Sequence, residues 1–457
     1  MTGAWPEVRI VDVAELIRGV TYAKDDARST QEDGYLPVLR ATNIQESRLV
    51  LDSDLVFVPG ANVSANQTLR AGDIVVATSS GSKHLVGKSA LLGREWSGSF
   101  GAFCAAIRSK ETIEPRYLAS FLQSPAYWQQ IGEKSMGVNI NNLRRGDIES
   151  VVLPLPDLDE QRRVVAEIEK QFSRLDEAVA NLQRVKANLK RYKAAILKAA
   201  VEGRLVETEA SLARREGRSY ETGEQLLQRI LEVRRAKWAG RGKYKQPTSV
   251  GSENLPELPE GWTWATTDHL TFLVTSGSRG WGDFYADVGV LFIRAQDIKT
   301  DELNRTDVAR VSISVDAEGT RSSVSKADIL VTITGANVTK SALVPELDEM
   351  AFVSQHVALM KLCLPEIAAF VFSWIVSPAN GRKTLESWAY GAGKPGLSLE
   401  QVRALPIALP PLAEQARIVA EVDYHMSIIC EVEAEVDANL KRSQTLRQAT
   451  LRKQFHT

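Results

Sequence analysis

Several stretches of the 457-residue chain come close to catalytic patterns. Gly81-Ser82-Lys83-His84-Leu85-Val86-Gly87-Lys88-Ser89 approaches a phosphate-binding loop. Such a loop needs four residues between its glycines, so that successive N–H groups cradle the phosphate and the lysine reaches it. Here five intervene, and a related stretch further on has Thr339 in place of the second glycine. Gly391-Ala392-Gly393-Lys394-Pro395-Gly396 has dinucleotide-loop spacing, but no clear strand precedes it and Pro395 removes an N–H donor. Asp297-Ile298-Lys299 has the Asp-x-Lys ending of metal-dependent nucleases, yet the matching place earlier in the chain reads Asn43-Ile44-Gln45. His84, His269, His356, His425 and His456 fall singly, without a triad partner at a motif spacing. There is no Asn/Asp-Pro-Pro-Tyr tetrad of the kind amino-methyltransferases place around an exocyclic amine. These residue types, in these spacings, point to a binding protein.

The elements that must position any binding residues occur twice. Leu155-Pro156-Asp157-Leu158-Asp159-Glu160-Gln161 opens one proline-free stretch, and Leu409-Pro410-Pro411-Leu412-Ala413-Glu414-Gln415 opens its echo. Proline fits the first turn of a helix and breaks its interior, so each stretch predicts a long helix. The repeat extends into the preceding halves at nearly the same offset. Arg40-Ala41-Thr42-Asn43-Ile44 answers to Arg294-Ala295-Gln296-Asp297-Ile298, and Ala71-Gly72-Asp73-Ile74 to Lys326-Ala327-Asp328-Ile329. Lys88 to Leu92 answers to Lys340 to Val344, and Tyr117 to Ala126 to Phe370 to Ala379. A period this long means two duplicated domains. Within each, short β-branched runs ending in polar loops, together with helical segments stopping at Ser-Pro, predict an α+β fold.

In the first long helix Ile168, Phe172, Leu175, Val179 and Leu182 are spaced by fours and threes. After a shortened step the pattern resumes through Val185, Leu189, Tyr192, Ile196 and Ala199. This is a coiled-coil seam with one register slip. The second carries Val422, Met426, Ile429, Val436, Leu446 and Leu451, interrupted by Glu433, Asn439 and Ser443. The expectation is that the two pack antiparallel on each other, the alternative being that each packs only on its own domain. Between the halves, Thr222-Gly223-Glu224-Gln225 has the form of a capping box opening a helix with Leu226, Leu227, Ile230 and Leu231 on one face. Its basic tail, Arg234, Arg235, Lys237, Arg241, Lys243 and Lys245, reads as a solvated connector or as a phosphate-contacting arm.

Composition sets bounds on this reading. Hydrophobic content of 44% and charged content of 25% are those of a globular protein, and the net charge of −1 asks for charge segregation if the chain binds a polyanion. Cys104, Cys363 and Cys430 lie far apart, with no zinc-ligand spacing. No signal-peptide pattern and no apolar run of membrane-spanning length occur, so the expectation is a cytoplasmic protein without a membrane partner.

Taken in order, these duplicated motifs resemble the specificity subunit of Type I restriction–modification systems, along essentially the whole chain. Leu258-Pro259-Glu260-Gly261-Trp262 and the helix-end pair Lys193 to Lys198 and Arg447 to Arg452 belong to the same set. Pro411 in place of Asp157 and the more polar second seam depart from it. The resemblance implies an α+β chain with two duplicated target-recognition domains (1–154 and 258–408), separated by a pair of long antiparallel coiled-coil helices (155–203 and 409–457), with a helical linker at 204–257. It implies a non-catalytic DNA-binding subunit that recognises an asymmetric bipartite site on double-stranded DNA. Two modification subunits would carry S-adenosylmethionine and the adenine-N6 methylation chemistry. Restriction subunits would use ATP and Mg in the full complex, and no cofactor or metal would belong to this chain. Base edges are read by polar and basic side chains, which makes the loops that differ between the copies the candidate readers. They are Ser79, Ser80, Ser82, Lys83, Asn139, Asn141, Asn142, Arg144 and Arg145 in the first half. In the second they are Ser278, Arg279, Thr334, Asn337, Lys340, Lys394 and Ser398. The competing readings are an interaction scaffold whose coil binds only protein, and a stand-alone DNA-modifying enzyme.

Overall fold

The computed structural model describes residues 5–80, 85–132, 141–238, 243–251, 255–278, 280–312, 321–391, 393 and 395–455. The chain divides into two compact units, Met1–Arg184 with Val436–Thr457, and Val185–Glu435.

In the first unit a four-stranded antiparallel sheet runs in the order Ala14–Arg18, Cys104–Ser109, Ile74–Ala77, Ser89–Leu91. Ile74, Val75, Val76 and Ala77 are all buried, so this β-branched run is covered on both faces. A three-stranded sheet, Ser99–Phe100, Tyr35–Leu39, Val56–Pro59, adjoins it in sequence and joins its first two strands in parallel. Helix Pro115–Phe121, with proline at its start, and helix Pro125–Gly132 supply Tyr117, Phe121 and Tyr127 to the core. The strand Val152–Pro154, paired with Glu7–Arg9, leads into the first long helix.

The second unit repeats this plan. Its four-stranded sheet is Thr271–Ser276, Val357–Leu362, Ile329–Thr332, Ser341–Leu343. The parallel pair recurs as Val290–Ile293 with Ala351–Val353, within a five-stranded sheet. Thr263–Thr266 pairs with Pro406–Leu409 just before the second long helix. Local chemistry repeats too. The Asn43 side-chain carbonyl accepts the Arg40 N–H at 2.8 Å, and Asp297 accepts that of Arg294 at 2.8 Å. The Asp-x-Lys triplet is therefore occupied at its acid by a structural turn. Gly87 and Thr339 both adopt left-handed backbone, φ +90° and +71°, and each closes a hairpin into a strand. The near phosphate-loop thus continues into strand Ser89–Leu91, where a phosphate site needs a helix N-terminus.

The long helices are Leu158–Val201 and Leu412–Phe455, 44 residues each. The first ends where Gly203 turns left-handed, with Arg204 N–H bonding back to the Ala199 carbonyl at 2.9 Å. Each helix contributes to both units. In the first unit Val164, Val165 and Ile168 share a core with Leu451 and Phe455. In the second, Ile196, Leu197 and Ala200 share one with Ile418 and Val422. Within each unit the start of one helix therefore lies beside the end of the other, an antiparallel pairing. The expected seam holds at its ends: Phe172 is half-buried beneath Arg447, and the Tyr192 hydroxyl meets His425 Nδ1 at 2.9 Å. Leu446 departs from it at 54% exposed, and Arg447 turns inward there to pair with Asp176. At the register slip Val185 is 39% exposed.

The linker helix packs on the second unit, and its basic tail is held there at Arg234 and Lys237 while Arg235, Lys243 and Lys245 stay exposed. Thr222 caps its helix reciprocally with Gln225, as expected, and Leu226 and Ile230 enter the second unit's core. Arg234, 11% exposed, pairs with Asp268 and donates to the Thr271 carbonyl and the Tyr244 hydroxyl. Lys237 donates to the Cys363 carbonyl at 3.0 Å. These cations are used up holding the linker down. Arg241 lies outside the described residues.

Candidate nucleic-acid interface

The fold brings together loops that lie far apart in sequence. Ser79–Ser80 continues the central strand past the sheet, and Asn141–Asn142 pairs with it antiparallel, Asn141 opposite Ser80 and Asn142 opposite Ser79. The Leu143 N–H bonds the Thr78 carbonyl at 2.8 Å and secures this junction. The second unit builds the same junction from different residues. Thr334 bridges Gly396, and Leu397 N–H bonds the Ile333 carbonyl at 2.9 Å. Two copies of one framework thus present unlike polar loops at one place.

In the first unit the junction borders a cleft of about 550 Å³. Leu16, Cys104, Leu143 and Ile148 form its apolar floor; Arg18, Ser79, Phe103, Asn142 and Arg145 stand around it. Arg145 is exposed and pairs with Glu149 at 2.6 Å, a contact too solvated to hold it firmly. Arg18 is exposed on its strand. Two cations, an amide and a hydroxyl around one cleft suit phosphate and base edges. The second unit has a cleft of about 680 Å³ elsewhere, lined by Glu302, Asp348 and Glu349 as well as Arg305 and Arg310. Its carboxylates oppose a polyanion.

The remaining expected readers divide by what already holds them. Arg144 is exposed at the N-terminus of helix Arg145–Glu149, its own N–H taken by Asp147 at 2.8 Å. Ser398 occupies the matching position before helix Leu399–Ala404, where its hydroxyl accepts from Gln401 N–H at 3.1 Å. Asn337 donates to the Ala295 carbonyl at 3.2 Å and accepts from Lys340 Nζ at 2.9 Å. That pair props the loop, leaving both side chains less available than an exposed one. Ser278 is half-buried just beyond strand Thr271–Ser276. Ser82, Lys83, Asn139, Arg279 and Lys394 lie outside the described residues, as does the side chain of Asn141.

Three residues beside these junctions escaped the sequence reading. Arg18 ends an amphipathic strand, where an exposed cation is ordinary. Phe103, 69% exposed, and Tyr390, 66% exposed, stand out only once the fold shows how much of each ring is left uncovered. Tyr390 pairs with Gly396 and so lies next to Thr334. Among the described residues no group of three or more His, Cys, Asp and Glu could hold a metal ion, and no helix is long and apolar enough to cross a membrane.

Comparison with known proteins agrees with this duplicated plan. Residues 3–191 match the family model described as Type I restriction modification DNA specificity domain. The StySPI specificity subunit of a Type I restriction enzyme from Salmonella potsdam is 30% identical over 457 residues, covering 99% of this chain and 88% of that protein. The chain belongs to the Type I restriction enzyme specificity subunits. Another specificity subunit, that of EcoKI from Escherichia coli K12, is 28% identical over 99% of this chain and 88% of its own length. Solved structures share the fold. A chain from work on complex assembly and conformational transition of the type I restriction–modification system aligns with a TM-score of 0.68 at 17% identity, covering 99% of this specificity subunit and 98% of itself. The HsdS subunit from Thermoanaerobacter tengcongensis aligns at 0.50 and 16% identity, over 100% and 97% of the two chains.

Proposed function

We propose that this specificity subunit reads an asymmetric bipartite site on double-stranded DNA, one half-site per unit, and directs the enzymes of its Type I restriction–modification system to it. The observation that carries this reading is the duplicated junction. One backbone framework offers Ser79, Asn142, Arg145 and Arg18 in the first unit and Thr334, Gly396 and Tyr390 in the second. Similar frameworks with unlike loops suit two unlike half-sites. Phosphate contacts would set the position of each unit on the duplex, and base-edge contacts would set its sequence. Two modification subunits carrying S-adenosylmethionine would supply adenine-N6 methylation, and restriction subunits would supply ATP- and Mg-dependent cleavage. This chain contributes recognition.

Co-expression with the modification subunit, followed by mapping of methylated adenines, tests the reading. The expected outcome is one asymmetric two-part motif whose modification disappears without this chain. Methylation independent of sequence would favour a scaffold. Methylation by the purified chain with S-adenosylmethionine and no partner would make it an enzyme.

A further inference from the structure

Phe103 is the feature that recognition by polar groups leaves unexplained. A phenyl ring 69% exposed keeps most of its apolar surface available to pack on a ligand. It sits at the turn into strand Cys104–Ser109, and its carbonyl accepts the N–H groups of Thr78 at 2.9 Å and Ser79 at 3.3 Å. The backbone is thereby fixed, and the ring is held beside the Ser79 and Asn142 junction at the cleft that Arg18 and Arg145 border.

The duplicate clarifies what this position is for. In the second unit His356 precedes strand Val357–Leu362, and its carbonyl accepts the Ile333 N–H at 2.9 Å, the same bond at the same level of the sheet. There the side chain is an imidazole, 3.2 Å from the amide of Gln355. One framework position thus carries an apolar ring in one unit and a polar pair in the other. A surface meeting the same protein partner in both copies has reason to keep one chemistry. A surface meeting two different half-sites has reason to differ. A ring at the edge of an apolar floor, with Arg18, Asn142 and Arg145 around it, can pack on an apolar group while its neighbours hold phosphate or base edges.

We propose that Phe103 is a specificity-determining residue that packs against the C5-methyl group of a thymine in the half-site read by the first unit. The thymine methyl is the apolar feature of the major groove, and an apolar side chain beside it discriminates thymine from cytosine without a hydrogen bond. The inference rests on the DNA-reading function proposed above, and the experiment separates the two.

The complex of this chain with its modification subunit is bound to duplexes carrying the mapped site, at fixed salt. Each thymine of the first unit's half-site is replaced in turn by deoxyuridine, which removes only the methyl group. Asn142→Ala identifies that half-site by relaxing it alone. One deoxyuridine is expected to weaken the wild-type complex about fourfold, the equivalent of roughly 0.8 kcal/mol for a buried methyl-sized group. The same substitution should leave the Phe103→Ala complex unchanged, because the methyl has already lost its partner. Equal losses in wild type and variant, no loss at any thymine, or a half-site without thymine on either strand would each overturn the proposal. So would weaker assembly of Phe103→Ala with the modification subunit when DNA is absent, since that places the ring against protein. Failure of the function itself reads differently: the wild-type complex would bind mapped and scrambled duplexes alike.

Discussion

At the residue scale, buried charge shows most directly what the sequence motifs do. Asp73 is 2% exposed at its side chain and meets Arg108, itself 16% exposed, through two bonds of 2.7 and 2.8 Å. It also accepts the Arg70 N–H at 2.9 Å, closing the left-handed turn at Gly72. The repeat keeps the acid as Asp328 but pairs it with Lys361 at 2.6 Å, a single point contact in place of a planar fork. Burial pushes the Asp328 carboxyl above the usual carboxylate range despite that lysine. Arg108, conversely, is held further toward its charged form by its bonds to Asp73. Asp73→Ala should therefore cost about 3 kcal/mol, because it strands a guanidinium that folding has largely removed from water. Arg9→Ala, which breaks an exposed pair with Asp12, should cost well under 1 kcal/mol. Urea denaturation of the two variants measures the contrast, and equal costs would show that the buried pair contributes nothing special. Of this contrast the sequence displayed only the repeated Gly-Asp and Ala-Asp turns. The partners lie more than thirty residues away, where no local pattern announces them.

At the element scale, the helix starts explain why their motif was legible before its purpose was. Gln161 is fully buried. Its amide donates to the carbonyls of Pro156 at 2.8 Å and Thr112 at 3.2 Å, and accepts the Glu114 N–H at 2.8 Å. Gln415 likewise donates to the Pro410 carbonyl at 2.9 Å. The glutamine ties off backbone groups of the segments that lead into the helices, which burial would otherwise leave unpaired. Glu414 adds a second anchor, accepting Trp262 Nε1 at 2.9 Å and Glu209 N–H at 2.7 Å. This joins the linker, the Leu-Pro-Glu-Gly-Trp entrance and the second helix in one buried knot. Periodicity revealed where the helices run and where their seam lies, since both follow from spacing. It misplaced Leu446 and did not foresee that Arg234 is captured within a tail whose other described cations stay exposed, because inward rotation of Arg447 and capture of Arg234 depend on tertiary partners. One consequence runs against chain order: the last turn of the second helix is core for the first unit. Phe455 makes edge contacts with Tyr117 and Phe121, ring centres 5.3 and 5.6 Å away. Phe455→Ala should lower stability by about 3–5 kcal/mol, the usual cost of emptying an aromatic site in a core. Hydrogen exchange should show the loss in helix Pro115–Phe121, and unchanged protection there would refute the assignment.

At the scale of the whole molecule, the repeat itself was readable because duplicated frameworks leave collinear motifs. The candidate readers were less so in their arrangement, since loops diverge and their contacts form only when distant segments meet: Ser79 with Asn142, and Thr334 with Gly396. What joins the two units is the pair of long helices, each passing from one unit to the other near Arg184 and Glu435. If those helices set the distance between half-sites, lengthening both must lengthen the DNA spacer. One heptad inserted after Arg184 and another after Glu435 preserves the inward face of each helix, because seven residues return the seam to register. Seven residues rise by about 10 Å, and at roughly 3.4 Å per base pair this corresponds to about three additional base pairs. Mapping methylated adenines with the modification subunit should then recover both original half-sites separated by the longer gap. A single insertion in one helix shifts its seam against an unlengthened partner and should instead cost stability and activity together. Retention of the original spacing by the doubly lengthened chain would mean that the helices connect the units without measuring the distance between their targets.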